Sequence, residues 1–339
     1  MVLFNLGGPD SPDAVQPFLF NLFNDRRIIG LPWPLRQLVA RLISKRRAPI
    51  AREIYGQIGG RSPILPETEA QARALQAELG PDARVFIAMR YWHPRAAEVV
   101  REVKAWGADE IVLLPLYPQF STTTSESSLV EWDKAASSVG LNVPTRRICC
   151  FPVEPGLVAA QASAVATALA SITTGTPRVL FSAHGLPEKT IKGGDPYQAS
   201  VERTAAAVAE ALAMPALDWR VTYQSRVGPL KWIGPSTDQE IMAAGAEGRP
   251  LVIVPIAFVS EHSETLVELD IEYRHLADEA GVPLYVRVPA VGIAPSFISG
   301  LARLVTKAAD APVGSLVSDG SRCPASCGRC PRAGMPEAA

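Results

Sequence analysis

His184 directly follows the apolar run Arg178–Ala183 and precedes Gly185-Leu186-Pro187. This puts an imidazole at the carboxyl end of a predicted strand, on a turn with glycine freedom. An unperturbed imidazole titrates at ~6.5, so a histidine placed there suits a proton acceptor; the plainer reading is one that closes a turn or caps the next helix. Glu264, Glu268 and Glu272 stand at i, i+4 and i+8 and form a row on one helix face. Like charges at this spacing destabilise a helix by ~0.2–0.5 kcal/mol per pair. A row facing a cavity makes sense as a proton relay or a guide for a cation; a row facing water is an ordinary solvated face. His262, beside Glu264 at the end of the preceding strand, adds the imidazole that joins carboxylate in binding borderline cations.

Other residues offer different chemistry. Lys45, Arg46 and Arg47 precede the glycine-rich turn that carries Ser62, and guanidinium plus hydroxyl can hold a carboxylate. A solvated basic cluster is the plainer reading. Arg90 and Tyr91 again follow a predicted strand. The segment 18–33, FLFNLFNDRRIIGLPW, holds more apolar residues than one helix face buries. It is either a buried helix and loop or an exposed lip for an apolar ligand or a membrane surface. Of five Cys, Cys323, Cys327 and Cys330 crowd into the tail, which in a reducing compartment points to metal before disulfide.

The elements that must position these residues are short apolar runs alternating with helix-length segments. In the first half they are Val2–Asn5, Arg84–Arg90, Glu110–Leu114 and Thr145–Phe151; in the second, Arg178–Ala183, Asp218–Tyr223, Leu251–Ile256 and Leu284–Val288. Nearly continuous apolar runs suit strands buried on both faces, and the alternation suits right-handed βαβ units. The expected fold is α/β, each half holding a four-stranded parallel sheet flanked by helices. The expected domains are 1–151, 152–310 and a Cys-rich extension 311–339, with a helix near Pro155–Thr176 linking the halves. In such sheets ligands sit beyond the carboxyl ends of the strands.

Bulk properties narrow the function. At 339 residues the chain suits about two domains of ~150 residues. A net charge of −1 excludes the basic excess of a nucleic-acid binder. MVLFNLGGPD has neither the basic start nor the apolar length of a signal peptide, and the longest apolar run, Leu251–Ser260, is too short to span a membrane. A cytoplasmic protein is expected.

Taken in order, NLGGP (Asn5–Pro9), KRRAP (Lys45–Pro49), GGRSPI (Gly59–Ile64), MRYWHP (Met89–Pro94), YPQFS (Tyr117–Ser121), FSAHGLP (Phe181–Pro187), YQSRVGPLKWIGP (Tyr223–Pro235) and PIAFVSEHSETLVELDIEY (Pro255–Tyr273) resemble the ferrochelatase family, from Leu3 to about Lys307. The resemblance implies two Rossmann-like domains with a porphyrin in the cleft between them. It implies insertion of ferrous iron (Fe2+), the substrate metal, into protoporphyrin IX or coproporphyrin III with release of two protons, the terminal step of haem biosynthesis. His184 matches the family's proton acceptor and Glu264 the acid that faces it. Glu268 and Glu272, with His262 nearby, match the path for protons or metal, carried in the family on a widened helical turn. Arg47 and Ser62 match propionate contacts; Arg90, Tyr91, Tyr55 and Trp232 match porphyrin-binding positions; Leu6 takes a wall position. Segment 18–33 matches a hydrophobic lip and implies peripheral membrane association.

Animal relatives bind a 2Fe-2S cluster through one Cys just after the YPQ motif and three in the tail. Here Ser121, Thr122 and Thr123 follow Phe120, so that Cys is absent, while the tail keeps C-x3-C-x2-C. The resemblance implies a 2Fe-2S cluster on Cys323, Cys327, Cys330 and one of Cys149 or Cys150, the other two Cys. Strand neighbours point to opposite faces, so only one of that pair would face the tail. A structural zinc site and an unstructured thiol-rich tail stay open beside it. The rival functions are a cobalt or nickel chelatase of an early tetrapyrrole and a non-catalytic metal or tetrapyrrole carrier. A carrier has no need of a His184–Glu264 proton acceptor.

Overall fold

The computed structural model describes residues 1–226 and 228–333; the last six residues of the expected Cys-rich extension lie outside it. Nine strands form among the described residues: β1 (Val2–Asn5), β2 (Phe86–Met89), β3 (Ile111–Pro115), β4 (Thr145–Cys150), β5 (Arg178–His184), β6 (Asp218–Gln224), β7 (Leu251–Pro255), β8 (Tyr285–Arg287) and β9 (Leu316–Ser318). The chain divides into two compact units. One comprises residues 1–116, 121–149 and 305–317; the other comprises 117–120, 150–304 and 318–339.

In the first unit the strand order is β2-β1-β3-β4-β9, with β1, β2, β3 and β4 joined in parallel register. β1 and β3 are buried along their whole length, the expected consequence of apolar runs covered on both faces. Helices Ala96–Trp106 and Ser125–Ser138 cross between strands and close one core, where Phe4 meets Trp132 edge to face at 5.7 Å. The sheet has one strand more than the sequence suggested. Leu316–Ser318, within the segment read as an extension, hydrogen-bonds to the outer edge of β4, whose backbone groups would otherwise lie unpaired.

In the second unit the order is β6-β5-β7-β8, all parallel. β5 is central, and chain direction across the sheet reverses around it. Such a switch point opens a crevice at the carboxyl ends of the strands. β5 ends at His184, and Glu264 begins the segment that follows β7. Helices Pro155–Ala170 and Tyr197–Ala211 cover one face of the sheet and Thr237–Ala246 the other. The segment Glu264–Glu272 is a π-helix, continued by the α-helix Tyr273–Glu279.

Candidate active site

At the end of β5 the chain must turn sharply. Gly185 donates its N–H to the Gln224 carbonyl at 2.8 Å, and a side chain on Gly185 would meet that same oxygen at 3.0 Å. This close approach leaves little room for a side chain at the turn that follows His184. His184 Nδ1 lies 2.8 Å from Glu264 Oε2, and the imidazole side chain keeps 38% of its surface exposed, so a ligand can reach it.

The electrostatics push neighbouring groups apart. Burial alone would lower the His184 pKa, but the charge and hydrogen bond of Glu264 and the charge of Glu268 raise it above its ordinary value. Burial would raise Glu264, yet the His184 charge and hydrogen bond hold it down at about 2. Burial, then the charge of Glu264, raises Glu268. Two carboxyls on one face therefore differ: Glu264 stays ionised, while Glu268 takes a proton more readily, a division that separates an ionic partner from a proton carrier.

His262 is buried, and its Nδ1 accepts the Glu264 N–H at 3.1 Å. Burial lowers its pKa, so the ring is a neutral acceptor that seats the first residue of the π-helix. Bonding from i to i+5 widens the turn and keeps residues four apart nearly in line. Glu272, the last of the row, is exposed. The row thus runs from the His184 partner to solvent.

Several residues that serve this site were not legible from spacing. Ser225 gives Glu268 its backbone N–H at 2.7 Å and also its hydroxyl. Gln224 Nε2 reaches both the Glu264 carbonyl and Glu268 Oε2 at 3.2 Å, and Tyr273 donates its hydroxyl to Glu268 at 3.2 Å. Tyr197 is buried and faces the His184 backbone amide; burial, with the nearby charges of Glu264 and Asp195, keeps its phenol protonated. The only signal for Gln224 and Ser225 was their place at a strand end.

In the first unit, Arg90 and Tyr91 converge on a residue that the motifs did not single out. Buried Asp25 accepts from Arg90 Nη2, the Tyr91 hydroxyl and the Arg27 N–H at 2.8 Å each, and from the Ser127 hydroxyl at 2.5 Å. Burial opposes ionisation of Asp25, but Arg90 and these donors lower its pKa. Tyr91 is 1% exposed, so it presents almost no surface to a ligand. Its packing against Val15, Phe18 and Tyr55 explains why, and Tyr55 is buried in the same cluster. Leu6 lines that cluster half-buried. Arg47 is exposed, with its guanidinium 5.9 Å from the Phe23 ring centre. Ser62 is buried against Gly8, and its N–H bonds the Pro9 carbonyl at 2.7 Å. In the second unit Trp232 is half-buried, with an indole N–H that finds no partner among the described residues.

The lip segment divides. Phe18 and Leu19 are core, whereas Ile28, Leu31 and Trp33 are exposed, and the apolar surface continues beyond the expected limit through Leu35, Leu38 and Leu42 on the helix Trp33–Gly56. No helix among the described residues is long and apolar enough to cross a membrane.

In the tail, Cys327 N–H bonds Pro324 O and Cys330 N–H bonds Cys327 O, each at 2.9 Å, two successive turns that gather the thiols. The hydrogen bond between Cys323 and Cys330 pushes the Cys323 thiol up and pulls Cys330 down to about 6. Gathered thiols, one of them acidic, suit the donor chemistry of iron–sulfur or zinc. Among the described residues, however, no group of three or more His, Cys, Asp or Glu is arranged to hold a metal ion.

The fold is that of chelatases. A structure of SirB from Bacillus subtilis with Fe3+ superposes with a TM-score of 0.56 at 15% identity, covering 72% of this chain and 89% of that one. The sirohydrochlorin chelatase SirB from Bacillus subtilis subspecies spizizenii, in complex with cobalt, gives 0.54 at 14% identity, covering 75% and 92%. The family is fixed by sequence: the ferrochelatase family model matches residues 1–309. A ferrochelatase of Phenylobacterium zucineum (strain HLK1) is 56% identical over 97% of this chain and 96% of its own length. That of Caulobacter vibrioides (strain NA1000 / CB15N) is 55% identical over 98% and 96%. The chain belongs to the ferrochelatase family, and ferrochelatase activity in haem biosynthesis is its function.

Proposed function

We propose that His184 and Glu264 handle the two pyrrole protons that leave as ferrous iron enters the porphyrin. The observation that carries this reading is their 2.8 Å hydrogen bond at the carboxyl ends of the central strands. A raised pKa makes His184 a stronger base once it is free of a proton. Glu264, ionised throughout, stabilises the imidazolium that forms, and Glu268, with its raised pKa, passes the proton on toward exposed Glu272. Each cycle breaks two N–H bonds, forms iron–nitrogen bonds and sends two protons along this row, with no net oxidation. Ferrous iron is the substrate metal, and the same carboxylate and imidazole donors suit its approach.

In the first unit Arg47 and Ser62 serve as propionate contacts, Arg90 acts with Asp25 behind it and Leu6 takes a wall position, while buried Tyr55 and Tyr91 support these from the core; in the second unit Trp232 is the porphyrin-binding position. The porphyrin is protoporphyrin IX or coproporphyrin III. The tail holds a 2Fe-2S cluster on Cys323, Cys327, Cys330 and one of Cys149 or Cys150, supported by the C-x3-C-x2-C spacing and the contact between Cys323 and Cys330. When bound, such a cluster supplies a cross-link that orders the tail. The exposed apolar surface from Ile28 to Leu42 serves peripheral membrane association.

Incubating the purified protein anaerobically with ferrous iron and each porphyrin tests the chemistry. His184→Ala should lose ~10²–10⁴ in rate while remaining folded. A folded variant that keeps more than about a third of the wild-type turnover removes His184 from the mechanism.

A further inference from the structure

The π-helix is poorly explained by its own sequence. Closure from i to i+5 is rare and is met mostly as single-turn bulges, yet here it continues through Glu264–Glu272. Leu and Glu there are ordinary α-helix formers, so something outside the segment must hold the turn wide. Arg287 of β8 has the right partners. Its Nη1 donates to Glu261 Oε1 at 2.9 Å and to Oε2 at 3.2 Å, and its Nε lies 3.3 Å from Asp270 Oδ2. Glu261 precedes the π-helix and Asp270 lies in its last turn. One planar guanidinium therefore meets both ends, hydrogen-bonding Glu261 and ion-pairing with Asp270 through its Nε edge, a division a single ammonium makes less readily.

The grip is reinforced at each end. Glu261 also accepts the Ala290 N–H at 3.0 Å and the Thr265 hydroxyl; Asp270 also accepts Arg274 Nη2 at 2.8 Å. The Arg287 and Glu261 side chains are only 11% and 16% exposed, so water screens the pair little.

We propose that Arg287 is a positioning residue for iron insertion: by clamping Glu261 and Asp270 it holds the segment in its wide register, and so keeps Glu264 against His184 and Glu268 against Ser225. Relaxation to α-helical closure would leave the two glutamates on one face but tighten the turn between them, rotating Glu268 relative to Glu264 and away from Ser225. The proposal rests on Glu264 and Glu268 handling protons.

Arg287→Lys keeps the charge but loses the fork. Its amide hydrogen exchange, followed by mass spectrometry on the whole chain, should quicken about tenfold in 264–272 and stay unchanged elsewhere. Its kcat should fall roughly 10²-fold while KM for porphyrin stays within about twofold. Exchange and kcat both near wild type in folded Arg287→Lys would overturn the proposal, as would full rescue by Lys of an impaired Arg287→Met. If both variants unfold, Asp270→Asn releases one end only, and unchanged exchange in 264–272 then overturns it. Quickened exchange with unchanged kcat refutes the link to chemistry. Quickened exchange in a chain whose wild type inserts no iron leaves the clamp standing and refutes the proton-handling reading.

Discussion

Ser225 holds a φ of +60° and delivers its backbone N–H to Glu268 at 2.7 Å. A residue with a Cβ seldom adopts that conformation, and strain of this kind gathers at functional sites. Here it turns the chain after β6 so that amide and hydroxyl both point at one carboxylate. Burial and the charge of Glu264 make Glu268 easy to protonate; the two Ser225 bonds, which favour the ionised form, hold that tendency in check. Glu268 thereby takes a proton more readily than Glu264, whose pKa is held at about 2.

The acidic row should show a gradient of effect. Glu264→Gln removes the ionic partner of His184 and should lower kcat by about 10²-fold or more. Glu268→Gln, one step away, should cost about tenfold, and Glu272→Gln, exposed to solvent, little. Steady-state rates of the three variants check the order. Near-wild-type rates for Glu264→Gln and Glu268→Gln alike would reduce the row to a solvated face.

The same pair makes stability depend on pH in a defined window. The His184 pKa is raised above 6.5, so its contribution is complete below 6.5 and fades as pH climbs through the folded value. The Glu264 pKa falls from 4.5 to about 2, so its contribution is complete above 4.5 and fades as pH drops toward about 2. Both are present together between 4.5 and 6.5. The gap in Tm between wild type and Glu264→Gln should be widest there, narrowing as pH falls toward about 2 and as it rises through the raised His184 value. Calorimetric scans across that range read it directly, and a flat gap would sink the ion pair.

The exposed leucines make membrane association testable at defined positions. Leu35, Leu38 and Leu42 are 55%, 55% and 62% exposed, and their spacing puts them on one helix face. Arg27 is paired with Glu126 at 2.5 Å, so cationic help comes from exposed Arg26, Arg46 and Arg47 instead, at roughly 1 kcal/mol each near anionic lipid. Protein should float with anionic vesicles at low salt, and a Leu35→Asp, Leu38→Asp double variant should not. Wild-type protein that stays with the soluble fraction in every lipid would end the idea.

The tail prediction has a colour. Protein purified without air should be red-brown and bleach on reduction. Cys327→Ser should abolish the colour, and so should replacing one, but not the other, of Cys149 and Cys150. A colourless preparation carrying stoichiometric zinc would substitute a zinc site for the cluster.

The inner strands β1, β3, β5 and β7 were legible because each is a largely apolar run of four or more residues buried almost throughout; β1 begins and ends where the run Val2–Asn5 does. β9 was not, because three residues, Leu316–Ser318, are too few to carry a period and only the open edge of β4 makes them a strand. His184 and the glutamate row stood out by residue type and spacing. Asp25 did not: a lone aspartate in an apolar segment reads as solvated, and only the folded chain brings Arg90, Tyr91 and Ser127 to it.

The fifth strand has a consequence for how the molecule comes into being. The first compact unit takes in residues 305–317, which a ribosome adds only after nearly all of the second. Domains emerging from synthesis generally fold from the amino end as units. Here β1 to β4 can assemble early, but the edge of β4 stays bare while residues 151–315 are made. The unit begun first is therefore completed last, and through that interval the β4 edge is a second bare edge, beside that of β2, open to pairing with a neighbouring nascent chain.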